Sequence, residues 1–279
     1  MNRANRFFSF LKERHSIYLA REAGKPKPWT SEPILQQYRF CNVYRELDTV
    51  TIWVRENIRE PYAQHPYLWF MLCIARAINW PETLAEVEWP TEAGEWSPAL
   101  LERMLERRMN NGQQTFTGAY MLTNGGRREP KSAIVARHNL GELWKDRKSC
   151  SFNSIEQFTI WLTGHFGWGK FLAYEVSTDL RHTRYLQDAP DINTWANAGP
   201  GAQRGLNRIA GRELKARVPE KQALEEMIAL LALSRKEWPN NKQYPRLELR
   251  DIEHGLCEFD KYERVRLGQG RPRSRYNGV

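Results

Sequence analysis

Phe166-Gly167-Trp168-Gly169-Lys170-Phe171-Leu172-Ala173 is the stretch on which the reading of this chain turns. Two glycines alternate with apolar residues between one helical pattern, Phe158 to Leu162, and another, Phe171 to Val176. Glycine lets a backbone approach a phosphate closely and present its N–H groups. A helix opening just after the turn adds the positive end of its dipole. A second glycine turn follows at Gly199-Pro200-Gly201-Ala202-Gln203-Arg204-Gly205-Leu206-Asn207-Arg208. There Arg204 and Arg208 stand one helical turn apart and share a face.

The rest of the composition fits a polyanionic partner. Among 279 residues, 42 Lys and Arg outnumber 33 Asp and Glu, for a net charge of +9. Eleven each of Trp, Tyr and Phe supply ample core, so the chain is folded rather than disordered. No apolar run approaches the roughly 18 residues of a membrane span, and Phe7 to Leu11 is too short for a secretory signal. A cytoplasmic location and no membrane partner are expected. Cys41, Cys73, Cys150 and Cys257 form no CxxC pair and read as mostly buried, reduced thiols. With the six histidines equally scattered, no metal site is expected.

Apolar periodicity predicts a mostly α protein. Helices are expected over 31–59, 66–78, 81–87, 97–109, 131–145, 154–163, 170–180 and 220–234, with strand character confined to 115–122. In the first of these, Phe40, Val43, Tyr44, Leu47, Val50 and Val54 recur at helical spacing. The far face carries Asn42, Arg45, Glu46 and Thr49 but also Ile52 and Trp53, so the helix reads as central, with Asn42, Arg45 and Asp48 as buried polar groups. Residues 1–30 read as an N-terminal arm and 31–266 as a helical catalytic and DNA-binding domain with room for two lobes. Residues 267–279 read as a basic tail whose Arg271 and Arg273 could follow a phosphate backbone.

The order apolar-Gly-apolar-Gly-x-x-x-Ala in 166–173 resembles the helix-hairpin-helix of base-excision DNA glycosylases. That resemblance implies a helix-hairpin-helix, glycosylase-like helical fold in which Gly167, Trp168, Gly169 and Lys170 hold the DNA backbone. The lysine of the strand-cleaving members would fall at Phe171, so amine-based lyase chemistry is not expected. Their essential aspartate would fall near Asp191, with Asp179 as the nearer competitor.

Four further segments carry a closer resemblance: Arg39-Phe40-Cys41-Asn42-Val43-Tyr44-Arg45-Glu46-Leu47-Asp48; Thr178-Asp179-Leu180-Arg181; Trp195 to Gly201 with Arg204 to Arg208; and Leu256-Cys257-Glu258-Phe259-Asp260-Lys261-Tyr262. Spread in order from 31 to 266, they are similar to the phage α-glutamyl/putrescinyl thymine pyrophosphorylases, or amino acid:DNA transferases. The helical domain of that family is related to one found beside 5-hydroxymethyluracil DNA kinases. The resemblance implies that pyrophosphate on 5-hydroxymethyluracil in double-stranded DNA is displaced by the amine of an amino acid, such as glycine or glutamate, or of a polyamine. The base would be flipped out of the duplex, by a monomer acting in the cytoplasm of an infected bacterium. With no Walker A sequence, the chain is not expected to be the kinase.

The residue types suit that chemistry. Arg39, Arg45, Arg204 and Arg208, with the amides of Gly199 and Gly201, are candidate clamps for the pyrophosphate. Asn42, Asp48, Asn207 and Tyr262 are candidates for substrate contact. Asp179, Asp191, His254, Glu258 and Asp260 are candidate proton acceptors, and Lys261 could hold the carboxylate of an amino-acid donor. No cofactor follows from the sequence. Mg²⁺ would suit pyrophosphate, but no carboxylate pair marks a site. The competing expectations are a glycosylase of the same fold and a non-catalytic DNA-binding protein.

Overall fold

A computed structural model describes residues 3–118, 124–272 and 275–276. These residues are helical and irregular, with no strand among them; the two pairings outside helices are isolated bridges. The mostly α expectation therefore holds. Part of the expected strand, residues 119–122, lies outside the described residues, and 115–118 are irregular. No described helix is long and apolar enough to cross a membrane.

In chain order the helices are α1 (Arg3–Glu22), α2 (Pro33–Gln37), α3 (Thr49–Val54), α4 (Leu68–Ile78), α5 (Pro81–Leu84) and α6 (Pro98–Asn110). They continue as α7 (Lys131–Ala133), α8 (Glu142–Lys145), α9 (Ile155–Thr163), α10 (Lys170–Leu180), α11 (Pro200–Ala210), α12 (Glu220–Glu237) and α13 (Leu249–Arg266). Two π-helical segments, Arg55–Arg59 and Ile134–Gly141, extend α3 and join α7 to α8. The chain forms two compact units: one from Met1–Asp48 with Ile192–Val279, the other Thr49–Asp191.

In the first unit the expected N-terminal arm is instead a 20-residue helix. Phe7, Phe8, Phe10 and Leu11 of α1, in which 7/10, 7/11 and 8/11 stand three or four residues apart, share one face and are buried. Phe7 meets Phe259 of α13 edge-on at 5.5 Å, and Phe10 meets Tyr262 at 5.0 Å. The amphipathic α12 closes the core with Ala223, Met227 and Leu231. The end of the chain also differs from a free tail. The Tyr276 N–H donates to Gln37 O at 2.9 Å, and Lys27 lies over the rings of both Trp29 and Tyr276. Arg271 is exposed, and Arg273 lies outside the described residues.

The second unit is built around α4, every residue of which is buried. Helices α9 and α10 pack beside it, and Trp69 meets Trp161 at 5.5 Å. Several charged side chains are buried in this unit, among them an ion pair in its core. Arg76 binds Asp179 through two hydrogen bonds of 2.5 and 2.6 Å, with both side chains 2% exposed. The guanidinium also donates to Asn79 Oδ1 and Thr51 Oγ1, so the buried pair is nearly saturated.

The long helix expected over 31–59 is not formed. Helix α2 ends at Gln37, and residues 38–44 are irregular. A 3₁₀ turn, Arg45–Leu47, follows, and α3 begins only at Thr49, where the second unit starts. The reason is non-local. Backbone groups that a helix would have paired internally are satisfied by side chains from elsewhere. Arg14 of α1 donates twice to Phe40 O, and Glu258 of α13 accepts from Cys41 N–H.

Candidate active site

Within the first unit, most of the candidate residues gather on α13 and the segment facing it. The start of α13 is fixed by a reciprocal cap: Glu248 accepts from the third-residue backbone N–H, and Asp251 Oδ2 accepts from Glu248 N–H at 2.8 Å. Burial pushes the Asp251 carboxyl up to about 7, against the opposing pull of that hydrogen bond. From this anchor, His254, Glu258 and Lys261 lie one turn apart along a stripe, with Cys257 and Asp260 on the neighbouring one.

The first stripe faces the irregular segment 39–48. There Asn42 acts as a staple: its N–H donates to Asp48 Oδ1 at 3.0 Å, and its Nδ2 donates to Leu47 O at 2.6 Å. Arg14 holds Asn42 Oδ1 at 2.7 Å, and Arg45 Nη1 holds Asp48 Oδ2 at 2.7 Å. Glu258 Oε2 takes the Cys41 N–H at 2.9 Å and Lys261 Nζ at 3.1 Å, while Nζ lies 4.7 Å above the Phe40 ring. One ligating atom each from Cys41, Asp48 and His254 falls within 4.8 Å of the others. Asn42, Arg45, Asp48, His254, Glu258 and Lys261, all anticipated from sequence, thus come together.

The second stripe packs on α11. Arg204 Nε and Arg208 Nε each donate at 2.7 Å to a different oxygen of Asp260, which is buried. Two guanidiniums on one carboxylate leave a net positive charge. Arg208 is tucked in and also reaches Gln269, whereas the Arg204 side chain is 37% exposed. The arrangement can hold an anion, and its position is fixed by the helix contact below it.

That contact changes the reading of the second glycine turn. A Cβ on Gly201 would overlap Cys257 Sγ, and one on Gly205 would overlap the Leu256 carbonyl. These glycines let two helices touch; they do not open a phosphate cradle. Asn207 is likewise structural. It is buried, with Nδ2 on Leu214 O and Ala216 O and Oδ1 accepting from Arg212, so it holds the chain leaving α11. Gly199 is the residue just before α11, where Glu253 Oε1 would lie 3.9 Å from its Cβ.

Other anticipated residues lie elsewhere. Arg39 is exposed. Tyr262 donates to Glu32 Oε2 at 2.9 Å and lines a separate pocket of about 330 Å³ with Glu13 and Phe10. Asp179 and Asp191 belong to the second unit. Asp179 is consumed by Arg76, and both oxygens of Asp191 accept at 2.9 Å from Ile155 and Glu156 N–H, capping α9. Both carboxylates are thus taken up by structural hydrogen bonds within their own unit.

The first glycine turn joins α9 to α10. Gly167 has φ +81°, and a Cβ there would meet Asn139 Nδ2 at 2.7 Å; that nitrogen already donates to Phe166 O. Trp168 is buried at 2% exposure, so it anchors the turn and does not face DNA. Gly169, Lys170 and Phe171 are exposed, and the N-cap residue of α10, Gly169, has no side chain of its own to cap it. Gly164 to Lys170 has the spacing G-x₄-G-K of a nucleotide-binding loop. However, it leaves a helix instead of a strand, and Phe171 stands where that loop needs Ser or Thr.

Two residues of the α13 cluster were not anticipated. Arg14 was hidden in the supposed arm, although it follows Phe7, Phe10 and Leu11 on one helical face. A cation on a buried stripe was the available signal. Cys41 gave no signal, because its neighbours in space come from the far end of the chain.

Comparison with known proteins gives these features a family. The chain is 28% identical over 232 residues to the 5-hmdU DNA kinase of Bacillus phage SP10, an alignment taking in 73% of this chain and 35% of that protein. It therefore spans only about a third of that relative's length. No solved structure matches. Residues 1–271 match the family described as the helical domain of 5-hmdU DNA kinase, and the chain belongs to that family.

Proposed function

We propose that this chain acts on hypermodified thymine in phage DNA as an amino acid or polyamine:DNA transferase. In this reading it replaces the pyrophosphate of pyrophosphorylated 5-hydroxymethyluracil with an amine. The observation that carries the reading is the pairing of Arg204 and Arg208 on Asp260 beside the Glu258–Lys261 and Cys41–Asp48–His254 groups, in a chain of this family. A site for a leaving polyanion thus adjoins groups able to take a proton. Family membership supports the thymine-modification setting. The helix-to-helix context of 164–170 supports a role other than phosphorylation, and the relative's additional length leaves room for kinase chemistry outside the shared part.

The proposed steps balance simply. The neutral amine nitrogen forms a bond to the exocyclic carbon of the base as that carbon's bond to the pyrophosphate oxygen breaks. The electron pair leaves with pyrophosphate, and the charge developing on it is met by Arg204 and Arg208. The ammonium proton passes to Glu258 or His254. Lys261 pairs with the carboxylate of an amino-acid donor, and the exposed start of α10 takes a backbone phosphate. Asp191 caps α9 and Asp179 pairs with Arg76, which favours transfer over the glycosylase alternative.

The test is direct. The protein is incubated with DNA carrying pyrophosphorylated 5-hydroxymethyluracil and a panel of amino acids and polyamines, and the nucleosides are then weighed. An amine adduct with pyrophosphate release is expected. Free base with abasic sites, or phosphorylation of 5-hydroxymethyluracil DNA by ATP, would replace the proposal with its competitors.

A further inference from the structure

We propose that Cys41, Asp48 and His254 form a binding site for one divalent cation of the zinc type. Thiolate, carboxylate and imidazole are the three donor classes that zinc takes, and three protein ligands with a fourth position open is the pattern of reactive zinc sites. The ligating atoms already lie within 4.8 Å of one another. Bound to one ion they would be about 3.5 Å apart, so closure asks for roughly an ångström of side-chain movement.

The site is built rather than accidental, because its ligands are held from behind. The Cys41 backbone is fixed by its N–H donating to Glu258 at 2.9 Å. Asp48 is oriented by the Asn42 N–H on one oxygen and Arg45 on the other. A carboxylate has about four lone-pair positions, so two remain for a metal. His254 stands on the 18-residue α13, which is capped at its start. Such supporting hydrogen bonds are what orient metal ligands in general. No spacing rule could reveal the group, since two ligands come from one loop and the third from the last helix.

The charge balance points to what the open position takes. A divalent ion with one thiolate and one carboxylate is neutral overall. Arg14, Arg45 and Lys261 act on it from around, opposed by Glu258. The fourth ligand is therefore an anionic oxygen, such as that of a phosphate. If the transferase reading holds, His254 serves the metal and Glu258 takes the amine proton; the cation site itself does not depend on that reading.

The full chain, stripped with a chelator, is titrated with Zn²⁺ alone and with Co²⁺ alone. One equivalent of zinc per chain is expected, with a rise in thermal midpoint on binding. Cobalt should give a thiolate-to-metal absorption band in the near ultraviolet. Cys41→Ser should abolish the band, His254→Gln should weaken binding at least about tenfold, and Cys257→Ser should keep both. Circular dichroism checks that each variant folds, and His254→Gln serves if Cys41→Ser does not. Absence of stoichiometric uptake, a band that survives Cys41→Ser, or one that vanishes with Cys257→Ser would overturn the site. None of these outcomes bears on amine transfer, which is read from nucleoside masses.

Discussion

The two glycine turns look alike in sequence and differ in what surrounds them. Gly169 has nothing within 4 Å of where its Cβ would stand, while Gly201 and Gly205 are wedged against α13. At the first turn Gly169 leaves its backbone exposed, although Gly167 beside it is packed against Asn139. Glycine at the second removes the space between two helices and so sets where Arg204 and Arg208 meet Asp260. The same residue type thus faces open space in one place and a packed helix in the other, and the difference is measurable.

The largest effect should come from filling the packed turn. Gly205→Val places a branched side chain where the Leu256 carbonyl stands, and backbone cannot step aside cheaply. A loss of about 3 kcal/mol is expected in urea unfolding, along with the Arg–Asp pairing. If the variant is as stable as its parent, close packing is not the reason for that glycine. Next in size is Arg204→Ala, which leaves Asp260 paired through Arg208 and should spare the fold. If Arg204 meets the leaving group, amine transfer should fall about a hundredfold with little change in general DNA affinity. An equal loss of both would reassign Arg204 to the DNA backbone.

What the sequence revealed follows the same division between local and distant causes. Ser97 and Ser154 were read as helix starts, and each accepts an N–H from its own first turn. The 39–48 segment was misread because Phe40, Val43, Tyr44 and Leu47 carry a helical spacing by coincidence. Arg14 and Glu258, which hold it open, are distant in sequence. Asp191 was read as catalytic for a similar reason, since its role as the cap of α9 is met only once the chain has folded back. The α13 cluster was legible because its residues share one helix face, where spacing does predict neighbours. The facing loop was legible only in part: Asn42, Arg45 and Asp48 stood out as candidates, while its open conformation and Cys41 did not.

A proton sharpens the comparison further, because the helix under the packed turn is tied down at Asp251. Its carboxyl titrates near 7 when folded, raised by burial above the ordinary value of 3.8. Between those values the folded state holds a proton that the unfolded state has lost. That contribution to stability is complete below about pH 4 and disappears as pH rises through 7. Asp251→Asn keeps an oxygen for the Glu248 N–H and cannot titrate. Unfolding free energies measured from pH 4 to 8 should therefore fall less steeply in the variant, with parent and variant closest at the acid end. A parallel fall in both would locate the pH dependence elsewhere.

The smallest effect on stability belongs to the open turn. Gly169 has φ −74° and ψ 161°, which alanine adopts without strain, and no neighbour would meet its methyl group. Gly169→Ala should therefore cost below about 1 kcal/mol, the scale of a changed helix N-cap. Its consequence should show in binding instead, because a methyl group beside the first amides of α10 hinders the approach of a phosphate. Lys170→Gln removes a charge from the same spot and should lower the slope of log affinity against log salt by about one. Applied to the packed turn, the same pair of measurements should give the inverse pattern, with Gly205→Val losing the fold before any salt slope can be read. If Gly169→Ala and Lys170→Gln leave both affinity and slope untouched, the exposed hairpin is a surface turn. Under the proposed function, the DNA backbone would then be held by other cations.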